Sequence, residues 1–236
     1  MDLQLKGKRA PVTGSTSGIG WATARELAAE GACVILNGRD PARLASAVAR
    51  IRAEVPDAAI DGVQADLSSA AGCQRLLGVA GEVDILINNL GIFEPKPFEQ
   101  IVDDDWLRFF EVNVMSGVHL ARHHVSRMKE RGWGRIVFIS SESGICPPAD
   151  MVHYGMTKSA QLSVSRGLAE TCVGTGVTVM PCCRVPPASR AWASSSPSWR
   201  LTRARRCKRP SMTSSNTPVR PRCCSALSTL PKSPPW

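Results

Sequence analysis

Residues 13–20 read Thr13-Gly14-Ser15-Thr16-Ser17-Gly18-Ile19-Gly20. A short apolar run, Ala10–Thr13, leads into them, and an amphipathic stretch, Gly20–Glu30, leads out. That order predicts a buried strand, a glycine-rich turn and a helix. Glycines let the backbone approach a pyrophosphate closely, and the start of a helix offers free N–H groups and the positive end of its dipole. The spacing is G-x-x-x-G-x-G and not the commoner G-x-G-x-x-G, so this stretch alone also fits an ordinary turn.

The neighbouring sequence repeats the same alternation. Apolar runs at Cys33–Asn37, Ile60–Gln64, Val83–Asn88, Arg135–Ser140 and Val177–Val179 predict further short buried strands. Amphipathic segments at Pro41–Glu54, Ser69–Val79, Asp103–Arg131 and His153–Cys172 predict helices between them. Strand and helix in repetition imply right-handed crossovers and an α/β fold: a Rossmann-like, doubly wound parallel sheet with helices on both faces. Ligands of such sheets bind beyond the carboxyl ends of the strands.

The residues at those ends carry the chemistry. Arg39 follows the second strand, where an acidic residue would suit the ribose hydroxyl of NAD and an arginine suits the 2′-phosphate of NADP. Asp66 and Leu67 follow the third strand, at the expected height of an adenine. Asn88, Asn89, Leu90 and Gly91 end the fourth. Ser141 ends the fifth, and Asn113 lies within the long predicted helix before it. Tyr154 and Lys158 open the last helix four residues apart, hence on one face. An ammonium near the phenol favours tyrosinate and lowers the pKa of Tyr154, making it a usable general acid and base. His119, His123 and His124 suggest a metal less than a solvated helix face, and no metal site is expected.

Together, TGSTSGIG, NNLG, EVNVMSG, ISS and YGMTK resemble the short-chain dehydrogenases/reductases (SDR), in order and over residues 5–179. The resemblance is to members such as the 3-oxoacyl-[acyl-carrier-protein] reductases or general NAD(P)-dependent alcohol dehydrogenases. The resemblance implies an NAD(P)-dependent oxidoreductase that interconverts a ketone and a secondary alcohol, preferring NADP(H) with NAD(H) as an option. By the same resemblance Tyr154 would exchange the proton with the substrate oxygen and Ser141 would polarise that oxygen. Lys158 would hold the nicotinamide ribose, and Asn113 would keep a water in the proton relay. Thr13, Gly14, Ser15, Ser17, Gly18, Ile19, Gly20, Arg39, Asp66, Leu67, Asn88 and Gly91 would line the cofactor together with Tyr154 and Lys158. Two residues depart from the pattern. Pro11 sits in a strand that is central in this fold, where proline removes a ladder hydrogen bond. Leu90 replaces a small alanine and is expected to narrow the cofactor cleft or to be tolerated.

Composition changes abruptly near residue 180. The whole chain carries a net charge of +9, yet residues 180–236 hold nine Arg, two Lys and no Asp or Glu, which leaves −2 for the first 179. All 19 glycines fall in those first 179 residues, whereas ten of the 17 prolines and five of the nine cysteines fall after them. The expected organisation is therefore a domain at 1–179 and a basic Pro/Ser/Arg-rich tail at 180–236, with the last strand of the sheet missing. The family resemblance implies a Pro-Gly turn and a substrate-covering segment after the sixth strand, and neither is readable. A one-nucleotide deletion near codon 180 accounts for this: restoring it lets Met180 to Pro186 read Asn-Ala-Val-Leu-Pro-Gly-Pro with permitted codons. The alternatives are an inactive frameshifted remnant that retains partial dinucleotide binding, or a basic-tailed nucleic-acid-binding protein. The primary expectation is a small-molecule carbonyl or alcohol substrate, no nucleic acid and no membrane. The family forms homo-oligomers, but the altered end puts that in doubt here. No run of about 18 apolar residues occurs, and the N-terminal stretch lacks an apolar signal region, so the expected compartment is the cytoplasm.

Overall fold

A computed structural model describes residues 3–184, and these form a six-stranded, all-parallel sheet. The strands are β1 (Arg9–Val12), β2 (Cys33–Gly38), β3 (Ile60–Gln64), β4 (Ile85–Asn88), β5 (Gly134–Ser141) and β6 (Val177–Arg184). Their spatial order is β3-β2-β1-β4-β5-β6, so the order reverses between β1 and β4. A ligand crevice is expected at that switch point, beyond the strand ends. The helices are α1 (Gly18–Ala29), α2 (Pro41–Glu54), α3 (Ala70–Ala80), α4 (Asp103–Phe110), α5 (Ser116–Glu130) and α6 (Val152–Glu170).

Alternation along each strand divides the core into two layers. Val34 and Leu36 of β2 and Ile85 and Ile87 of β4 join Trp21, Ala24, Leu44 and Ile51 of α1 and α2 on one face. Ile35, Leu86, Ile136 and Phe138 turn to the other face, against Leu76 of α3, Leu120 and Met128 of α5 and Val164 and Leu168 of α6. Both faces of the sheet are thus dry, which is why its strands read as continuous apolar runs. Trp21 also donates its indole N–H to the Ala47 carbonyl, 3.1 Å away, and so ties α1 to α2.

Two sequence expectations need correction. The single helix expected over 103–131 is interrupted: a π-helical turn, Glu111–Met115, joins α4 to α5. β6 does not end at Val179. It runs to Arg184 in parallel register with β5, pairing Phe138 with Pro181 and Ser141 with Arg184. The domain boundary set at residue 179 therefore falls inside a strand. Pairing to β5 overrides the unfavourable composition, because among the described residues β6 is an edge strand and an edge tolerates proline. Cys182 and Cys183 on this strand are free and exposed. The expectations for a seventh strand and for the tail beyond Arg184 lie outside the described residues.

Pro11 is accommodated at a cost to one ladder. Arg9 and Thr13 exchange backbone bonds with β4, through Asp84 N to Arg9 O (2.9 Å) and Thr13 N to Ile87 O (3.0 Å). Pro11 shares their side of β1 but has no N–H to give. β1 accordingly pairs with β2 over four residues and with β4 at Val12 and Ile87 alone.

Candidate active site

The glycine-rich loop crosses the switch point between β1 and α1. Ser17 is the residue before α1, yet its side chain makes no capping bond, and the first turn holds no acidic residue. The next two helices in sequence, α2 and α3, are capped. Asp40 Oδ1 accepts from Ala42 N (2.8 Å) and Arg43 N (3.0 Å) at α2, and Ser69 Oγ accepts from Gly72 N (3.1 Å) at α3. The donors and the positive dipole end of α1 therefore remain available to an anion. Gly14 and Gly18 both have φ of +59°, and a Cβ on Gly18 would meet nothing within 4 Å, so the loop borders open space. Ser17 is exposed and Ile19 half-buried beside it. The residues present fit a dinucleotide pyrophosphate.

Two loop residues expected at the phosphates face inward instead. Ser15 is fully buried, donating to Val12 O (2.7 Å) and accepting from Asn37 N (2.9 Å). Thr13 is 2% exposed, and its Oγ1 accepts from the N–H groups of Asn89 and Leu90, each at 2.9 Å. These hydroxyls hold the loop to β2 and to the β4 end. Asn89 completes the clasp, its amide donating to Thr13 O (2.9 Å) and Gly14 O (3.0 Å). Gly20 must lack a side chain here, because a Cβ would collide with that amide and with the Gly14 carbonyl. Leu90 packs against the core and brings its Cδ1 to 3.3 Å from where a Gly14 Cβ would stand, so it crowds the loop while remaining tolerated.

Arg39 is exposed at the end of β2 and lines a cleft of about 450 Å³ with Gln64, Asp66, Ser69, Gly72 and Arg75. Its acidic neighbour Asp40 is committed to capping α2, which leaves the arginine to meet a ligand at this position. Asp66 is exposed in the same cleft, with Oδ1 accepting from Ser68 N (3.1 Å) and Ser68 Oγ (2.8 Å). Leu67 is 2% exposed and sits in the core, so only its main chain can serve a ligand. Asn88 is likewise 3% exposed, and neither side-chain polar atom has a hydrogen-bond partner among the described residues. Its side chain is behind the cleft.

Four expected residues converge at the other end. Tyr154 and Lys158 lie one turn apart at the start of α6, with the Lys158 Nζ 5.6 Å from the Tyr154 ring centroid. The Tyr154 side chain neighbours that of Ser141, whose Oγ accepts from Ser143 N (3.2 Å) and donates to Ser143 Oγ (3.3 Å). Ser140, the competing serine, donates instead to Lys158 O (3.1 Å) and is 3% exposed. Asn113 lies in the π turn, with Nδ2 donating to Ile92 O and Thr157 Oγ1, both at 3.0 Å, and Oδ1 accepting from Ile92 N (2.7 Å). Gly91 is exposed, and a Cβ built on it would approach Lys158 Nζ and Asn113 Oδ1 to 3.5 Å each.

The electrostatics differ from expectation in one respect. Burial pushes the Tyr154 phenol up, against a smaller lowering by the neighbouring Ser141 hydroxyl. The expected lowering by Lys158 is not found, since its Nζ is turned to Ile139 O (2.9 Å) and Gln161 Oε1 (3.1 Å). Burial alone pushes Lys158 down to about 8. The Tyr154 phenol therefore keeps its proton at neutral pH, and Lys158 titrates at about 8 within reach of it.

Sequence reasoning assigns no role to Asn89, Thr157 or Gln161, which lock the expected residues in place. Asn89 stands between two residues that were singled out, and Gln161 is one turn beyond Lys158, so adjacency to the motifs was the available signal. The histidines also need correction: His124 is 2% exposed and not on a solvated face, with burial as the main cause pushing it down to about 4. Among the described residues no group of three His, Cys, Asp or Glu could hold a metal ion, and no helix is long and apolar enough to cross a membrane.

Known proteins match this chain strongly. The family model described as short chain dehydrogenase matches residues 8–196. The uncharacterised oxidoreductase YvaG of Bacillus subtilis (strain 168) is 50% identical over 179 residues, spanning 76% of this chain and 68% of that protein. D-beta-hydroxybutyrate dehydrogenase of Cupriavidus necator is 35% identical, spanning 76% and 70%. The structure of L-sorbose reductase from Gluconobacter frateurii, complexed with NADPH and L-sorbose, superposes with a TM-score of 0.72 at 31% identity, covering 77% of this chain and 70% of that one. The chain belongs to the short-chain dehydrogenase family of oxidoreductases.

Proposed function

We propose that this protein interconverts a ketone and a secondary alcohol with NADP(H) as the preferred cofactor and NAD(H) as a poorer one. The observation that carries this reading is the meeting of the Tyr154 and Ser141 side chains beside the buried Lys158. Tyr154 donates a proton to the carbonyl oxygen during reduction and takes it back during oxidation. Ser141 donates a hydrogen bond to the same oxygen and stabilises the charge that develops there. Lys158 supplies a positive charge near Tyr154 and a donor toward the cleft at Gly91. A nicotinamide dinucleotide, when bound, supplies or accepts the hydride. The uncapped start of α1 suits its pyrophosphate, and Arg39 suits a 2′-phosphate. The NADPH held by L-sorbose reductase supports the cofactor choice by likeness. Phe93, whose ring stands edge-on to Tyr154 at 6.4 Å, adds an apolar wall for the substrate.

The experiment is NADPH oxidation by the purified chain over a panel of ketones, beside NADPH binding followed by fluorescence. Turnover that requires Tyr154 supports the enzyme. Binding with no turnover on any ketone supports a second reading, a remnant that retains the dinucleotide site without catalysis. That reading is favoured by the loss of glycine and of acidic residues after residue 179.

A further inference from the structure

The π turn and α6 are bridged by a side chain that none of the four expected catalytic positions includes. Gln161 is 2% exposed and lies one turn after Lys158 on α6. Its Nε2 donates to the main-chain carbonyl of Asn113 at 2.5 Å, and its Oε1 accepts from Lys158 Nζ at 3.1 Å. The orientation of the amide is dictated by its partners, since a carbonyl can only accept and an ammonium can only donate. Swapping its oxygen and nitrogen would set two donors together and two acceptors together.

Bridging a carbonyl to an ammonium takes one donor and one acceptor, which is what a single water would supply. The family resemblance leads one to expect a water held by Asn113 at this station. Here the amide makes both bonds, and it is covalently fixed to the helix that carries Lys158 and Tyr154. Lys158 Nζ has Ile139 O and Gln161 Oε1 as its acceptors among the described residues, so one of its three protons remains for the cleft beside Gly91.

We propose that Gln161 is the positioning residue of Lys158: its amide replaces a relay water between Asn113 and the ammonium, aims the remaining N–H into the cleft and favours the charged form of the lysine. This rests on the reading of Lys158 as part of an oxidoreductase site. Gln161 is buried and acts through Lys158.

The groups facing Lys158 are few. Tyr154 on its own helix is the titratable one. β5 presents the Ile139 carbonyl, the π turn presents Asn113, and the β4 loop presents Gly91. No carboxylate contributes to its titration, which burial governs. The amide oxygen of Gln161 is thus the side-chain acceptor that stabilises the charge, and replacing it has a definite sign.

The test uses the full chain without cofactor, labelled at its lysine side chains, with the Lys158 signal assigned through Lys158→Met. NMR titration of Lys158 is compared in wild type, Gln161→Leu and Gln161→Glu, each checked for folding by circular dichroism. In Gln161→Leu the titration moves down by about one pH unit or more, because an apolar side chain of similar size removes the acceptor and excludes water. In Gln161→Glu it moves up, because a carboxylate then faces the ammonium. The basic limb of kcat/KM for ketone reduction shifts in the same directions, with kcat lowered about tenfold in Gln161→Leu. If only one variant folds, its direction decides. A Lys158 titration unchanged from wild type in a folded variant overturns the proposal. Should the titrations shift as stated while wild type reduces no ketone, the positioning role stands and the enzymatic reading fails.

Discussion

Lys158 holds its ammonium 5.6 Å from the centroid of the Tyr154 ring while donating to the Ile139 carbonyl 2.9 Å away. The lysine is therefore close enough to sense the phenol but is not spent on it. Tyr154 keeps its proton, and Lys158 carries the group that titrates near neutrality.

The first consequence is a pH dependence. Lys158 is pushed down from 10.5 to about 8 by burial, so its ammonium form is present below about pH 8 and lost above it. Because kcat/KM reports the free enzyme, ketone reduction should be level from about pH 6 to 8 and decline above, with Lys158→Met lacking the limb. A reduction rate that climbs through pH 9 would sink this assignment. The same shift makes the folded state gain stability as pH rises from about 8 to 10.5, since the unfolded chain binds the extra proton there.

Cofactor choice is predicted to rest on Arg39. Asp40 is occupied in capping α2, so no carboxylate is free at that strand end to favour a ribose hydroxyl. Arg39→Asp should weaken NADPH about 10- to 100-fold relative to NADH, as expected for losing a charge-assisted bond to phosphate. Dissociation constants for both cofactors, by fluorescence titration, check it. An unchanged ratio would move the discrimination elsewhere.

His124 predicts acid sensitivity. It is 2% exposed on α5 and pushed down to about 4, chiefly by burial and further by His123, Arg127 and Arg131. With the folded value below the ordinary 6.5, the unfolded chain takes up the proton first, so stability present above pH 6.5 drains as pH falls toward 4. The loss is on the order of 3 kcal/mol at about 1.4 kcal/mol per pH unit. Urea melts at pH 7 and pH 4.5 should show a smaller difference in His124→Leu than in wild type. Equal differences would acquit His124.

The reading frame supplies a fourth prediction. Nucleotide sequencing across codons 175–190 should reveal a site where one restored base returns glycine and acidic codons downstream. An intact frame in a gene whose expressed product carries all 57 residues from 180 to 236 would remove the frameshift account. Salt-dependent DNA binding by a 180–236 peptide, beyond generic polycation behaviour, would point to the basic-tail alternative.

How far the sequence was legible depends on the period of each feature. Strands buried on both faces are continuous apolar runs, so β2, β4 and β5 were readable within a residue or two, and their ends located Arg39, Gly91 and Ser141. Which loop side chains turn inward is a matter of tertiary bonds with no local signature, and Thr13, Ser15, Leu67 and Asn88 all turned inward. The π turn at Asn113 was invisible because Glu111–Met115 is ordinary helical sequence whose extra residue is demanded by packing against Ile92 and Thr157. β6 was cut short at Val179 because Pro181 and two cysteines argue against a strand, whereas pairing with β5 extends it to Arg184. Gln161 sits at a spacing where either the core or the cleft could claim it, and only the bonds to Asn113 and Lys158 decide.

The central claim is that Tyr154 is the proton donor of a ketone reductase. Its most direct measurement is the rate of NADPH oxidation with a ketone substrate by wild type and by Tyr154→Phe, with NADPH affinity measured on both. The account predicts turnover in wild type and a loss of about 10²- to 10⁴-fold in the variant at nearly unchanged NADPH affinity. Equal rates in the two proteins would contradict it.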